Sequence, residues 1–142
     1  PTKWLDVTKN LDSLLAEDTL TIRITQTVSA YNYIYLDEFL NWAPCPVDMN
    51  FVYDPDYLSP AILPPVVRRH VHDKFRTTMG NKHELGTLLS MFNNDDWDEL
   101  KWEQFCRYND ELDKIRGHES GWRAVFPELI ILCENNGIQH KY

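Results

Sequence analysis

Two segments in the first third of the chain alternate apolar with polar residues, and a helical pattern separates them. Residues 20–28 read LTIRITQTV and residues 47–53 read VDMNFVY. Because successive side chains of a strand point to opposite faces, each segment predicts a strand with one apolar and one polar face. Two strands joined by a helix form a βαβ unit, which is normally parallel. Inner parallel strands are usually apolar on both faces, so these polar faces are expected to meet either water or a lumen that binds a polar ligand.

Helical spacing of apolar residues predicts the remaining elements. The expected elements are a helix over residues 2–16, a helix capped by Ser29 or Asn32 that ends near residue 42, a helix over 64–76, a short helix over 85–92, a long helix from a capping box at Asp96 and Glu99 to Gly117, a short apolar segment at 126–133 interrupted by Pro127, and a frayed tail at 137–142.

The predicted fold is α/β and helix-rich, with a single domain over residues 1–142. Residues 1–80 are expected to form a βαβα part with a small parallel sheet of two or three strands. Residues 81–142 are expected to form a helical C-terminal part. A chain of 142 residues is long enough for one domain with one core.

Charge and cysteine content exclude several classes of protein. A formal net charge of −8 argues against non-specific nucleic-acid binding, which needs clustered Lys and Arg. No apolar run approaches the ~20 residues of a membrane helix, so neither nucleic acid nor membrane is expected as a partner. Cys45, Cys106 and Cys133 match no zinc or iron–sulfur spacing. An odd cysteine count without a secretory leader predicts free thiols in a reducing compartment, and hence a cytoplasmic protein.

Most residues that could carry chemistry have a simpler structural explanation. His70 and His72 lie on roughly opposite sides of a helix, which predicts solvated or ion-paired histidines rather than one metal site. The aromatic residues between positions 31 and 42 could stack a base, but helical spacing favours core packing. The acidic cluster at residues 95–99 could bind a cation, but it suits the positive end of a helix dipole. We therefore assign no catalytic residue and no metal ligand.

Polar side chains at the carboxyl ends of the two predicted strands are better candidates for a binding site, because ligands of parallel α/β units bind at those ends. The residues are Thr25, Thr27, Ser29 and Asn32 after the first strand, and Asn50, Val52 and Asp54 on the second. The pattern alone leaves a ligand-binding edge and a water-facing side of the sheet equally open.

Three longer segments together resemble a known family. QTVSAYNYIYLDEFLNW (26–42), NFVYDPDYLSPAILPP (50–65) and FCRYNDELDKIRG (105–117), with FPEL following at 126–129, are similar to the C-terminal half of radical SAM proteins with a twitch-type auxiliary domain. Such proteins are common in bacteria and their phages. The resemblance covers residues 4–129 and depends on the order of the motifs. It implies that the two strands are the last strands of a partial (β/α) barrel that holds a [4Fe–4S] cluster and S-adenosylmethionine.

The resemblance also implies roles for the polar residues of both strands. Thr27, Ser29 and Asn32 match the region that contacts the cofactor nucleoside, and the substrate side of the lumen would be lined by Arg23, Thr25, Asn50 and Asp54. The CxxxCxxC motif of the family is absent, and three scattered cysteines do not replace it. This chain is therefore expected to retain neither cofactor and to be inactive alone, whatever its parent enzyme does.

Two functions from different classes remain open at this point. The first is a C-terminal fragment, or a stand-alone remnant, of a radical SAM enzyme. The alternative is a small acidic interaction module without catalysis, of a kind that a phage could encode. Two strands also leave exposed sheet edges, which tend to pair with another chain, so a homo-oligomer is expected in either case.

Overall fold

Helices and short turns flank one small sheet in the computed structural model, which describes residues 3–78, 95–117 and 121–142. The elements are α1 (Trp4–Leu15), β1 (Ile24–Val28), a 3-10 turn (Tyr33–Tyr35), α2 (Leu36–Trp42), β2 (Val47–Phe51), two further 3-10 turns (Asp56–Leu58 and Pro60–Ile62), α3 (Pro65–Thr78), α4 (Glu99–Arg116), α5 (Gly121–Val125) and α6 (Pro127–Asn135). The predicted helix at 85–92 lies outside the described residues.

The sheet has two parallel strands within the described residues. The register pairs Ile24 with Val47 at one end and Val28 with Phe51 at the other. An α/β, helix-rich fold with a small parallel sheet is thereby confirmed, and α2 connects the two strands as predicted. Both strands are shorter than their alternating segments. β1 begins only at Ile24, whose N–H donates to the carbonyl of Pro46, because residues 20–23 have no neighbouring strand in the described part of the chain.

In the described part of the chain, the helices that pack on the sheet use its apolar face. Val28 is fully buried, and Met49 and Phe51 pack against the same core, which continues through the side chains of α3 and α4. At the centre of that core the Phe105 ring lies 5.6 Å from Trp102 and 5.6 Å from Trp122, measured between ring centroids. The opposite face of the sheet remains exposed, whereas a doubly wound sheet has helices on both faces.

Two predicted helix starts are wrong in detail. The helix before Trp42 begins as a 3-10 turn and becomes α-helical only at Leu36. Asn32 is the N-cap residue of that turn, but its side chain accepts no hydrogen bond from the N–H groups of the turn. α4 begins at Glu99 because Asp98 is its N-cap: the Asp98 carboxylate accepts hydrogen bonds from two backbone N–H groups of the first turn. The expected capping box from Asp96 is therefore displaced by two residues.

The C-terminal segment is docked rather than frayed. Trp102 Nε1 donates to the carbonyl of Gln139 at 2.8 Å, and His140 is only 5% exposed. Arg123 joins this segment to α4: its Nε donates to Nδ1 of His140 at 3.0 Å, and its Nη1 lies 2.5 Å from Asp110 Oδ1. Pro127 does not interrupt a segment but starts α6, as its fixed φ and missing N–H allow at the first helical position.

Candidate functional site

The exposed face of the sheet brings together most of the polar residues that the sequence singled out. Thr25 and Thr27 of β1 and Asn50 of β2 are exposed on this face, and Arg23 and Asp48 extend it at the amino end. The register places Thr27 directly beside Asn50. Three predicted lumen residues and one predicted cofactor residue thus share one open surface.

An ion pair fixes the amino end of this face. Arg23 donates from Nε to Asp48 Oδ2 at 2.7 Å and from Nη2 to Asp48 Oδ1 at 2.5 Å, so guanidinium and carboxylate meet through two parallel hydrogen bonds. The hydrogen bond from Arg23 lowers the pKa of Asp48 below its ordinary value. Arg23 is therefore engaged by Asp48 in this structure, and its side chain orders the start of the face. Asp54, the remaining predicted lumen residue, is exposed beyond the end of β2.

The turn after β1 gathers the three predicted cofactor residues. Asn32 Nδ2 donates to the carbonyl of Thr27 at 2.8 Å, and the N–H of Ser29 donates to Asn32 Oδ1 at 2.8 Å. The Asn32 amide therefore holds the carboxyl end of β1 in shape. One of its two N–H groups and one lone pair of its oxygen remain for another partner. The sequence placed these residues at the carboxyl end of one strand but did not show that Asn32 builds the turn.

A cleft of about 950 Å³ lies next to the carboxyl end of β2, and sequence reasoning missed it. Its walls come from three parts of the chain: the segment after β2, the buried guanidinium of α3, and the start of α4. The lining residues are Tyr53, Asp56, Ser59, Ala61, Ile62, Arg68, Asp96, Trp97, Asp98, Glu99, Leu100, Lys101 and Glu103. No sequence signal could have found it, because residues some 40 positions apart meet only in the folded chain.

Most polar groups in this cleft already have partners. Lys101 Nζ lies 3.0 Å from Asp56 Oδ2, and this hydrogen bond raises the pKa of Lys101. Arg68 is 1% exposed and donates from Nε to the carbonyl of Leu63 at 2.9 Å. Trp97 Nε1 donates to the carbonyl of Ile62 at 2.9 Å. These contacts tie the start of α4 to the turns after β2. They give the charged and polar residues of the cleft a structural role that requires no ligand.

A second charged cluster joins α2, α3 and α6. His70 Nε2 lies 2.7 Å from Glu128 Oε1, which agrees with the prediction of a solvated or ion-paired histidine. Lys74 Nζ lies 3.3 Å from the same carboxylate and 3.5 Å from Asp37 Oδ1. Burial alone would raise the pKa of Glu128, but the hydrogen bond from His70 and the charge of Lys74 outweigh it and hold the pKa below its ordinary value.

Metal ligands are not gathered in the part of the chain that is described. Residues 3–78, 95–117 and 121–142 contain no group of three or more His, Cys, Asp or Glu side chains that could hold an ion. Cys45, Cys106 and Cys133 are free thiols, and burial raises the pKa of Cys133 to about 12. In the same residues no helix is both long and apolar enough to span a bilayer.

Comparison with known proteins gives no relative. No protein family, no curated protein and no solved structure matches this chain. Arguments about function therefore depend on the geometry of the open sheet face and on the sequence resemblance.

Proposed function

We propose that this chain is the C-terminal part of a twitch-type radical SAM enzyme, in which the exposed face of β1 and β2 forms part of the cofactor and substrate lumen. One observation carries the proposal: within residues 3–78, 95–117 and 121–142, the helices pack on the apolar face of a parallel sheet, and the other face is polar and exposed. Parallel strands are usually covered on both faces. A polar open face with helices only behind it is what a barrel wall presents toward its lumen.

The polar groups on the open face suit a nucleoside rather than a metal cluster. Thr27 and Asn50 are neighbours in the register, so a hydroxyl and an amide lie side by side, with the remaining N–H of Asn32 at the same end. Hydroxyls and amides supply the donors and acceptors that ribose and base edges require. In the proposed enzyme these residues bind and orient S-adenosylmethionine, and the exposed Asp54 lies on the substrate side.

The cysteines of this chain do not fit an iron–sulfur cluster. Ligation needs thiolates that converge on one point, whereas Cys106 and Cys133 are fully buried in the core with raised pKa values. The cluster is therefore assigned to another part of the parent enzyme, and no radical step is assigned to the residues of this chain. Free thiols at all three positions are in keeping with a cytoplasmic location, which we propose as well.

Titration with S-adenosylmethionine, monitored by amide NMR chemical shifts, tests the proposal. The chain alone is not expected to retain the cofactor, but weak saturable binding at high ligand concentration is expected to shift the amides of residues 25–32 and 47–54. The double variant Thr27→Val with Asn50→Ala should abolish the shifts, whereas Asn41→Ala, an exposed helix position in α2, should leave them unchanged. Shifts confined to other regions, or no shift at millimolar ligand, would argue against a lumen role for this face.

A second candidate function is a small acidic interaction module without catalysis. The observation that favours it is the exposure of α1, in which no residue is buried although four of its large apolar side chains line one cleft. Contiguous exposed apolar surface is a mark of interaction sites. For this candidate the NMR titration above is expected to show no binding at the sheet face, while self-association or partner binding persists.

A further inference from the structure

The outer edge of β1 carries unpaired backbone groups. Ile24 N–H donates to the carbonyl of Pro46, and Val52 N–H donates to the carbonyl of Val28. Backbone pairing alternates along a strand. The N–H and C=O groups of the even-numbered residues of β1 therefore point toward β2, and those of Thr25 and Thr27 point away from it. Within the described residues no third strand covers this edge.

Side chains close the carboxyl end of this edge but leave its centre open. The carbonyl of Thr27 accepts hydrogen bonds from Asn32 Nδ2 at 2.8 Å and from Gln26 Nε2 at 3.1 Å. Thr25 therefore carries the N–H and C=O pair that is free to bond an incoming strand. An open edge of this kind is a template for strand pairing.

Exposed apolar surface continues from the same edge onto α1. Of thirteen large hydrophobic side chains that are exposed in the described residues, six lie between positions 4 and 20, so the apolar surface concentrates at this flank. Trp4 is 59% exposed and Leu14 is 47% exposed. Both line a mainly apolar cleft of about 420 Å³ that α1 forms with Ile24 of β1 and with Phe39 and Trp42 of α2. The cleft includes Ile24 and Gln26 of β1 and no residue of β2, so α1 lies at the β1 side of the apolar sheet face.

We infer that a second copy of this chain covers the flank formed by α1 and β1, with the two β1 strands antiparallel about a two-fold axis at Thr25. In an antiparallel pair, two directly opposed residues can exchange both N–H···O=C bonds. A residue on the two-fold axis opposes its own copy, so the N–H of each Thr25 donates to the carbonyl of the other. The same symmetry brings the two α1 helices to one face of a four-stranded sheet.

Self-complementarity of this flank favours a second copy over another partner. The outer side of α1 carries both signs of charge, with Lys3 and Lys9 beside Asp6 and Asp12. A flank whose charges all had the same sign would instead favour a partner of opposite charge. A two-fold contact also closes on itself, so it pairs the β1 edges of both copies and leaves no further β1 edge for growth. This dimer concerns the chain on its own, because in the proposed parent enzyme the preceding barrel strand would pair with the same edge of β1. It leaves the polar sheet face open, so ligand binding and dimerisation are separate readouts.

Sedimentation equilibrium of the whole chain between about 1 and 300 μM tests the dimer. The wild-type mass is expected to rise with concentration from 16.8 kDa toward twice that value. Thr25→Pro removes the outward N–H and places the ring in the interface, and should weaken dimerisation at least tenfold. Proline is tolerated at such edge positions. Thr25→Ala keeps the N–H, and because this side chain points to the open face, it should leave the dissociation constant within about twofold.

A second variant tests the helical half of the interface and guards against misfolding. Leu14→Lys places a charge in the exposed apolar surface of α1 and should also weaken the dimer at least tenfold, without touching the strand edge. Circular dichroism confirms folding of each variant. A wild-type mass that stays at 16.8 kDa throughout, growth beyond the dimer, or equal dimerisation of folded Thr25→Pro and Thr25→Ala proteins would each overturn the inference.

Discussion

Replacing Asn32 by Ala tests how the end of β1 is built. The wild-type amide makes two hydrogen bonds of 2.8 Å, one to the carbonyl of Thr27 and one from the N–H of Ser29. Both connect the strand to the 3-10 turn that leads into α2, and the flanking residues Val28 and Ala30 belong to the buried core. Alanine removes both bonds without adding bulk, so the change isolates the contribution of the turn.

The expected loss of stability follows from the two bonds. Each hydrogen bond contributes about 0.5–1.5 kcal/mol net to stability. The contribution of the hydrogen bond to Thr27 lies at the lower end of this range, because the Thr27 carbonyl also accepts from Gln26 Nε2 and keeps that partner in the variant. The contribution of the hydrogen bond from the Ser29 N–H lies nearer the upper end, because this half-buried donor loses its partner. We therefore expect Asn32→Ala to lower the free energy of unfolding by about 1–2 kcal/mol.

Urea unfolding followed by tryptophan fluorescence measures this change. With a slope of about 2 kcal/mol per molar urea, the midpoint should fall by about 0.5–1 M. Asn32→Asp keeps the acceptor for Ser29 but loses the donor to Thr27, so its midpoint should lie between those of the wild type and Asn32→Ala. Asn41→Ala, at an exposed helix position, should change stability by less than about 0.5 kcal/mol. A midpoint for Asn32→Ala equal to that of the wild type would refute the structural role of this amide.

Two further predictions concern helix α4 and the charged cluster. Asp98→Ala should cost about 0.5–2 kcal/mol of unfolding free energy because it removes the N-cap, whereas Asp96→Ala should cost less than about 0.5 kcal/mol; urea midpoints compare the two variants. Glu128 has a lowered pKa in the folded chain, so its stabilising effect is fully present above the ordinary carboxyl value of 4.5 and is lost as the pH falls through the lowered pKa. Thermal melts between pH 3 and 6 should therefore show a smaller acid loss for Glu128→Gln than for the wild type, and equal slopes would contradict this.

Local patterns in the sequence were enough to predict the secondary structure around the sheet. Alternation at residues 20–28 and 47–53 identified both strands, because a half-buried strand must alternate. The strands proved shorter, since the length of a ladder depends on both partners and β2 begins only at Val47, after Pro46. Gly117 ends α4 as expected because its φ of 65° is one that glycine readily adopts.

Features that depend on distant residues were not accessible to the sequence pattern. The tail at residues 137–142 looked polar enough to fray, yet Trp102 and Arg123 hold it through bonds to main-chain carbonyls. A main-chain acceptor has no signature in the sequence. The cleft beside Trp97 could not be predicted for the same reason, because Trp97 is held by the main-chain carbonyl of Ile62. Of the candidate site, the alternation predicted that Arg23, Thr25 and Thr27 lie on one face, whereas the turn-building role of Asn32 follows only from the folded chain.

The polar side chains on the open face of the sheet and the unpaired backbone groups at its edge are separate features. The first bears on ligand binding and the second on dimerisation. The ladder between two short strands is weak in water, so burial of the apolar face is what keeps it formed. The other face could then carry any polar side chains without cost. It carries Thr27 and Asn50 as register neighbours and, at its amino end, the doubly hydrogen-bonded Arg23–Asp48 pair. Side chains determine what the face can bind, whereas backbone groups determine what the edge can pair with. Substitutions of Thr27 and Asn50 should therefore alter ligand binding without altering the dimer, and Leu14→Lys on α1 should weaken the dimer without altering ligand binding.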